Sequence, residues 1–124
     1  MDSEHLAGKR ILVVEDSPIL AEDLGGMLEE LGCIVVGPTG SMATARELAS
    51  EKAIDAAVLD LNIRGEKTFA LAAMLAKRGI PFLLASGYAD WSLPDELQEV
   101  PRLLKPYRVE MIQPLLEEML ATPR

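Results

Sequence analysis

Five side chains spread along the sequence carry the groups that phosphoryl chemistry requires. "VVEDSP" (13–18) places Glu15 and Asp16 side by side after an apolar run, and "VLDLN" (58–62) ends another apolar run in Asp60. "LLAS" (83–86) ends in Ser86, and "LLKP" (103–106) sets Lys105 before a proline. If folding gathers the carboxylates, each pair costs about 4 kcal/mol at ~4 Å and an effective dielectric of ~20. Either some of them protonate or a cation lies among them. The ligands on offer are hard oxygens, with no cysteine or well-placed histidine, which selects Mg²⁺ or Mn²⁺ over zinc. Glu15 and Asp16 then form the acidic side of a magnesium site. Asp60 can present a carboxylate oxygen as nucleophile and become an acyl phosphate. Ser86 can donate its hydroxyl to a phosphoryl oxygen, and Lys105 supplies a mobile positive charge on the side opposite the metal. Catalysis of this kind is positioning plus charge neutralisation.

These residues meet only if the elements between them bring strand ends together. Short apolar runs predict strands at 10–15, 33–37, 55–61, 80–86 and 102–106. Between them run helix-period segments. Ser17 and Pro18 suit a helix start, with Leu20, Leu24, Met27, Leu28 and Leu31 on one face and Gly32 as the stop. Ser41 caps a second helix, residues 67–78 form a third, and 107–121 form the last, with Pro114 inside it. The stretch 87–101 holds Gly87, Pro94 and Pro101, which leaves room for about two helical turns at most, so the fourth helix is shortened or irregular. Five βα repeats predict an α/β fold: a doubly wound, flavodoxin-like, five-stranded parallel sheet of order 2-1-3-4-5. In such a sheet the carboxyl ends of the strands share one edge, where ligands bind.

The 124 residues favour one domain, with 1–8 as a flexible N-terminal tail and no output domain. A net charge of −8 argues against nucleic-acid or anionic-membrane partners, which need Lys and Arg to meet phosphate. No apolar run approaches the ~20 residues that span a bilayer, and the charged N-terminus lacks a signal-peptide apolar region. The one cysteine, Cys33, reads as a small buried hydrophobe and excludes an intrachain disulfide. A cytoplasmic location is expected.

Taken together and in order, "VVEDSP", "VLDLNIRG", "LLASGYAD" and "LLKPY" resemble the response-regulator receiver domain of two-component signalling along the whole chain. The resemblance implies phosphorylation of Asp60 by a sensor histidine kinase or a phosphotransfer protein. It implies a Mg²⁺ site made by Glu15, Asp16, Asp60 and the backbone carbonyl of Asn62, with Ser86 and Lys105 engaging the phosphoryl group. Signalling would follow from a changed protein-binding surface. Departures from the common pattern accompany it. "LNIRG" lacks the proline many receivers carry after the phosphoacceptor, and Arg102 stands where many have a switching Tyr or Phe. Tyr88, Trp91 and Tyr107 are the aromatic candidates for switching or partner contact. "PFLLASGYAD" is similar to the signature of the atypical FATGUY-like subclass, often single-domain and associated with HWE/HisKA2-type kinases. Two other activities compete: a phosphate sink with no downstream target, and a small Mg²⁺-dependent aspartyl-phosphate phosphohydrolase. The second is opposed by "DLN" in place of Asp-x-Asp and by the lack of room for a cap.

Overall fold

The structure, a computed structural model, describes residues 6–86 and 93–121. The apolar runs become strands β1 (Arg10–Val14), β2 (Ile34–Thr39), β3 (Ala56–Asp60), β6 (Phe82–Ser86) and β7 (Arg102–Leu104). All neighbours pair in parallel in the order β2-β1-β3-β6-β7. This is the expected order, the labels β4 (Asn62–Ile63) and β5 (Glu66–Lys67) belonging to a small separate ribbon. Every residue of β3 and β6 is buried, as central strands covered on both faces require.

Alternation along the strands splits the core into two layers. Leu12, Val14, Leu59 and Leu84 pack against helices α2 (Met42–Glu51) and α3 (Phe69–Lys77). Ile11, Val13, Val58 and Leu83 pack against α1 (Pro18–Glu30) and α4 (Val109–Ala121). The hydroxyl of Ser17 caps α1 by accepting from the Leu20 amide at 3.3 Å, and that of Ser41 caps α2 by accepting from Thr44 at 3.2 Å. Helix α4 continues through Pro114, which forgoes one backbone donor there.

Two expectations need adjustment, and a third, the shortened fourth helix, holds. The tail foreseen over 1–8 is docked from residue 6 onward: Leu6 is fully buried in the α1/α4 layer, and the Gly8 amide donates to the Gly32 carbonyl at 2.8 Å. The second strand runs beyond residue 37 to Thr39. It passes Pro38 because Glu15 N–H pairs with the Thr39 carbonyl at 2.9 Å. The curtailed fourth helix is reduced, among the described residues, to a single 3₁₀ turn at Asp95–Leu97. Leu93 and Leu97 of that stretch close the α3 side of the core. Among the described residues no helix is long and apolar enough to cross a membrane.

Candidate functional site

The carboxyl edge of the sheet gathers the residues singled out above. Asp60 ends β3 in register with Ala85 of β6, and Glu15 directly follows β1, whose Val14 faces Leu59. Ser86 ends β6 opposite Leu104, and the Lys105 amide donates to the Ser86 carbonyl at 2.9 Å. One oxygen each from Glu15, Asp16 and Asp60 lies within 4.8 Å of the others. Glu15 and Asp60 are only 2% and 5% exposed, so their repulsion is weakly screened. Lys105 answers it: Nζ lies 2.8 Å from Asp60 Oδ2 and 3.1 Å from Glu15 Oε1. The lysine expected opposite a metal is here the counter-ion that bridges the two buried carboxylates.

The balance of charges is uneven. Burial, with the Glu15 charge added, raises the Asp60 carboxyl to about 6 against the opposing hydrogen bond from Lys105. Burial pushes the Lys105 ammonium down, but its hydrogen bond to Asp60 and the Asp60 and Glu15 charges outweigh that and hold it above its ordinary value. Asp60 is therefore a strained anion and Lys105 a secure cation at neutral pH.

The loop after Asp60, which lacks the common proline, holds its shape by other means. Residues 62–67 form a two-stranded ribbon in which Asn62 faces Lys67 and Ile63 faces Glu66. Arg64 (φ 52°) and Gly65 (φ 84°) make its turn, both left-handed as a tight hairpin connection demands. That turn aims the Arg64 amide at Asp16 Oδ2, 2.8 Å away. From the inner side the fully buried Thr68 hydroxyl donates to the Asp60 carbonyl at 2.8 Å. The Asn62 amide reaches Asp60 Oδ1 at 3.4 Å, while Asn62 Oδ1 is buried without a hydrogen-bond partner. Three converging hard carboxylates fit a Mg²⁺-like cation.

Tyr107 changes standing once placed. Its ring is 5% exposed, and its hydroxyl donates to Glu15 Oε1 at 2.5 Å. Its hydroxyl faces the acidic site. Burial foremost, then Glu15, pushes the phenol well above its ordinary range, so it remains a donor at any physiological pH. Only its place two residues after Lys105 hinted at this. Ser86 is buried beside the Asp60 strand, whereas Tyr88 and Trp91 lie outside the described residues. Arg102, at the usual aromatic position, donates to the Gln98 carbonyl at 3.0 Å and so ties β7 to the 3₁₀ turn.

Gly40 is a further site residue that nothing in the sequence marked. A Cβ there would lie 2.9 Å from Asp16 Cα and 3.3 Å from the Glu15 carbonyl. Backbone rather than a flexible side chain blocks it. Gly40→Ala should cost about 1–3 kcal/mol and displace Asp16. Urea melts together with Mg²⁺ titrations would check this, and wild-type values in both would refute the close-approach role.

The family model of the response regulator receiver domain matches residues 11–101. The chain belongs to that family, and its acidic pocket is that of a receiver of two-component signalling. The transcriptional regulatory protein PdtaR of Mycobacterium tuberculosis is 26% identical over 120 residues, covering 94% of this chain and 58% of PdtaR. The chain thus spans a little over half the length of that relative. The solution structure of SdrG from Sphingomonas melonis Fr1 superposes with a TM-score of 0.81 at 36% identity, covering 96% of this chain and 99% of SdrG. A BeF3-activated conformation of SdrG from Pseudomonas melonis Fr1 gives a TM-score of 0.75 at 37% identity, covering 91% and 98%.

Proposed function

We propose that the protein accepts a phosphoryl group on Asp60 from a sensor histidine kinase or phosphotransfer protein and signals by altering its protein-binding surface. The observation that carries this reading is the convergence of Glu15, Asp16 and Asp60 with Lys105 bound to the Asp60 carboxylate. An Asp60 oxygen attacks the phosphorus of phosphohistidine. The P–N bond breaks, its electron pair stays on the imidazole nitrogen, and an acyl phosphate forms. Lys105 then moves from the carboxylate to the incoming phosphoryl oxygens, and the Ser86 hydroxyl donates to one of them. Glu15, Asp16, Asp60 and the backbone carbonyl of Asn62 would hold Mg²⁺, or Mn²⁺ in its place. When bound, that ion supplies positive charge for the phosphoryl oxygens.

The FATGUY-like "PFLLASGYAD" favours an HWE/HisKA2-type kinase as donor. With Arg102 in place of an aromatic, the response runs through the ends of β6 and β7 and the stretch 87–101 rather than through rotation of a ring at 102. The setting is cytoplasmic.

Incubation with Mg²⁺ and acetyl phosphate, followed by intact mass measurement, tests the reading. One added phosphoryl group is expected, absent after chelation and absent in Asp60→Asn. No gain with Mg²⁺ present, or labelling that survives Asp60→Asn, would overturn it. Sustained turnover of phosphate esters would instead indicate a hydrolase.

A further inference from the structure

We infer that the Tyr107 hydroxyl competes with a divalent cation for Glu15 and thereby holds metal affinity down. The inference rests on reading the acidic cluster as a cation site, and it concerns one residue of this chain that sets the strength of that site.

A carboxylate offers about four lone-pair positions. On Glu15 three are filled by hydrogen bonds, and the Lys105 ammonium stands against the fourth. The Ser17 amide donates to Oε2 at 3.0 Å and Lys105 Nζ stands 3.3 Å from the same oxygen. Lys105 Nζ also lies 3.1 Å from Oε1, and Tyr107 donates to Oε1 at 2.5 Å. Asp16, by contrast, receives the Arg64 amide on Oδ2 and is partly exposed. A cation therefore meets Asp16 with room to spare and Glu15 already crowded with donors.

For Glu15 to share its charge with a cation, one donor must yield. The Ser17 amide is fixed at the start of α1, because Ser17 is the cap residue. Lys105 is held too, as the counter-ion that Asp60 and Glu15 share. Tyr107 is buried at the connection between β7 and α4, away from water that could replace its acceptor. Breaking its charge-assisted bond leaves a buried donor unpaired, which is the expensive outcome. Truncating the hydroxyl removes that cost and keeps the ring that fills the α4 layer. Tyr107 is thus a positioning residue acting through Glu15.

Mg²⁺ titration by calorimetry of the full chain tests this without any phosphodonor. Tyr107→Phe should bind Mg²⁺ roughly ten-fold tighter than wild type. In a Glu15→Gln background, the same change should have little effect, because the contested charge is gone. Carbon-13 labelling of tyrosine Cζ adds a direct readout, with the Tyr107 signal identified by its loss in Tyr107→Phe. That signal should shift as Mg²⁺ is added to wild type. Unchanged or weaker binding in Tyr107→Phe, or an equal gain in the Glu15→Gln background, would overturn the inference while leaving the cation site intact. Binding by neither protein would remove the cation site and the inference together.

Discussion

Asp60→Asn should melt several degrees higher than the wild type in metal-free buffer near pH 7.5, although it removes the residue on which the proposed chemistry depends. The folded protein holds the Asp60 carboxyl at about 6, above its ordinary 3.8, chiefly because it is buried. A proton bound more tightly by the folded than by the unfolded state favours folding wherever it is bound. That favour is complete below 3.8 and is lost as the pH rises through about 6. At pH 7.5 the anion sits in a place that resists it. Asparagine keeps the shape without the charge, and Lys105 retains Glu15 at 3.1 Å. A gain of about 1 kcal/mol corresponds to roughly 3–6 °C for a domain of this size. The advantage should shrink as the pH is lowered toward 5. Added Mg²⁺ should stabilise the wild type more than the variant, since a ligand that binds only the folded state raises its stability. Calorimetric melts of both proteins at pH 5, 6 and 7.5 decide the matter, and an equal or lower melting temperature for Asp60→Asn at pH 7.5 would refute the strained-anion account.

Lys105→Met should have the opposite sign and the larger size. The ammonium is the cation between two buried carboxylates, 2.8 Å from Asp60 and 3.1 Å from Glu15. Removing one member of a buried ionic group leaves the others uncompensated, at a cost of about 3 kcal/mol or more. Methionine preserves much of the stem, so lost packing contributes little. The deficit should be greatest at high pH and should shrink as the pH falls toward 6, because loss of the Lys105 contacts that lower the Asp60 carboxyl lets it take up a proton above the wild-type value of about 6. Millimolar Mg²⁺ should recover part of it, because a divalent ion can supply the missing charge. Phosphorylation should become slow, since the group proposed to meet the phosphoryl oxygens is gone. Denaturant titrations with and without Mg²⁺ measure the effect, and a Lys105→Met protein as stable as wild type at pH 7.5 would show that the lysine is not the counter-ion.

Much of this was readable along the chain because the informative residues end apolar runs. Glu15, Asp60, Ser86 and Lys105 each sit where a hydrophobic stretch gives way, and a parallel sheet lines such ends along one edge. What stayed hidden depends on contacts between segments far apart in sequence. The Tyr107–Glu15 hydrogen bond spans 92 residues. The barrier at Gly40 is set by the backbone of Asp16, on the neighbouring strand's end. Leu6 looked like part of a polar tail because a single apolar residue carries no periodicity, yet it fills the α1/α4 layer. Thr68 gave no signal either, because its importance lies in turning inward to the Asp60 carbonyl. The ribbon at 62–67 was half announced by Gly65, but Arg64 in a left-handed conformation was not.

The borders of the sheet bear on how copies of this chain meet other molecules. One border is β2, which contains Pro38, a residue with no amide hydrogen to offer. The other is β7, only three residues long. Among the described residues, a proline near the end of one margin and the shortness of the other limit the ladder open to a stray strand from a neighbour.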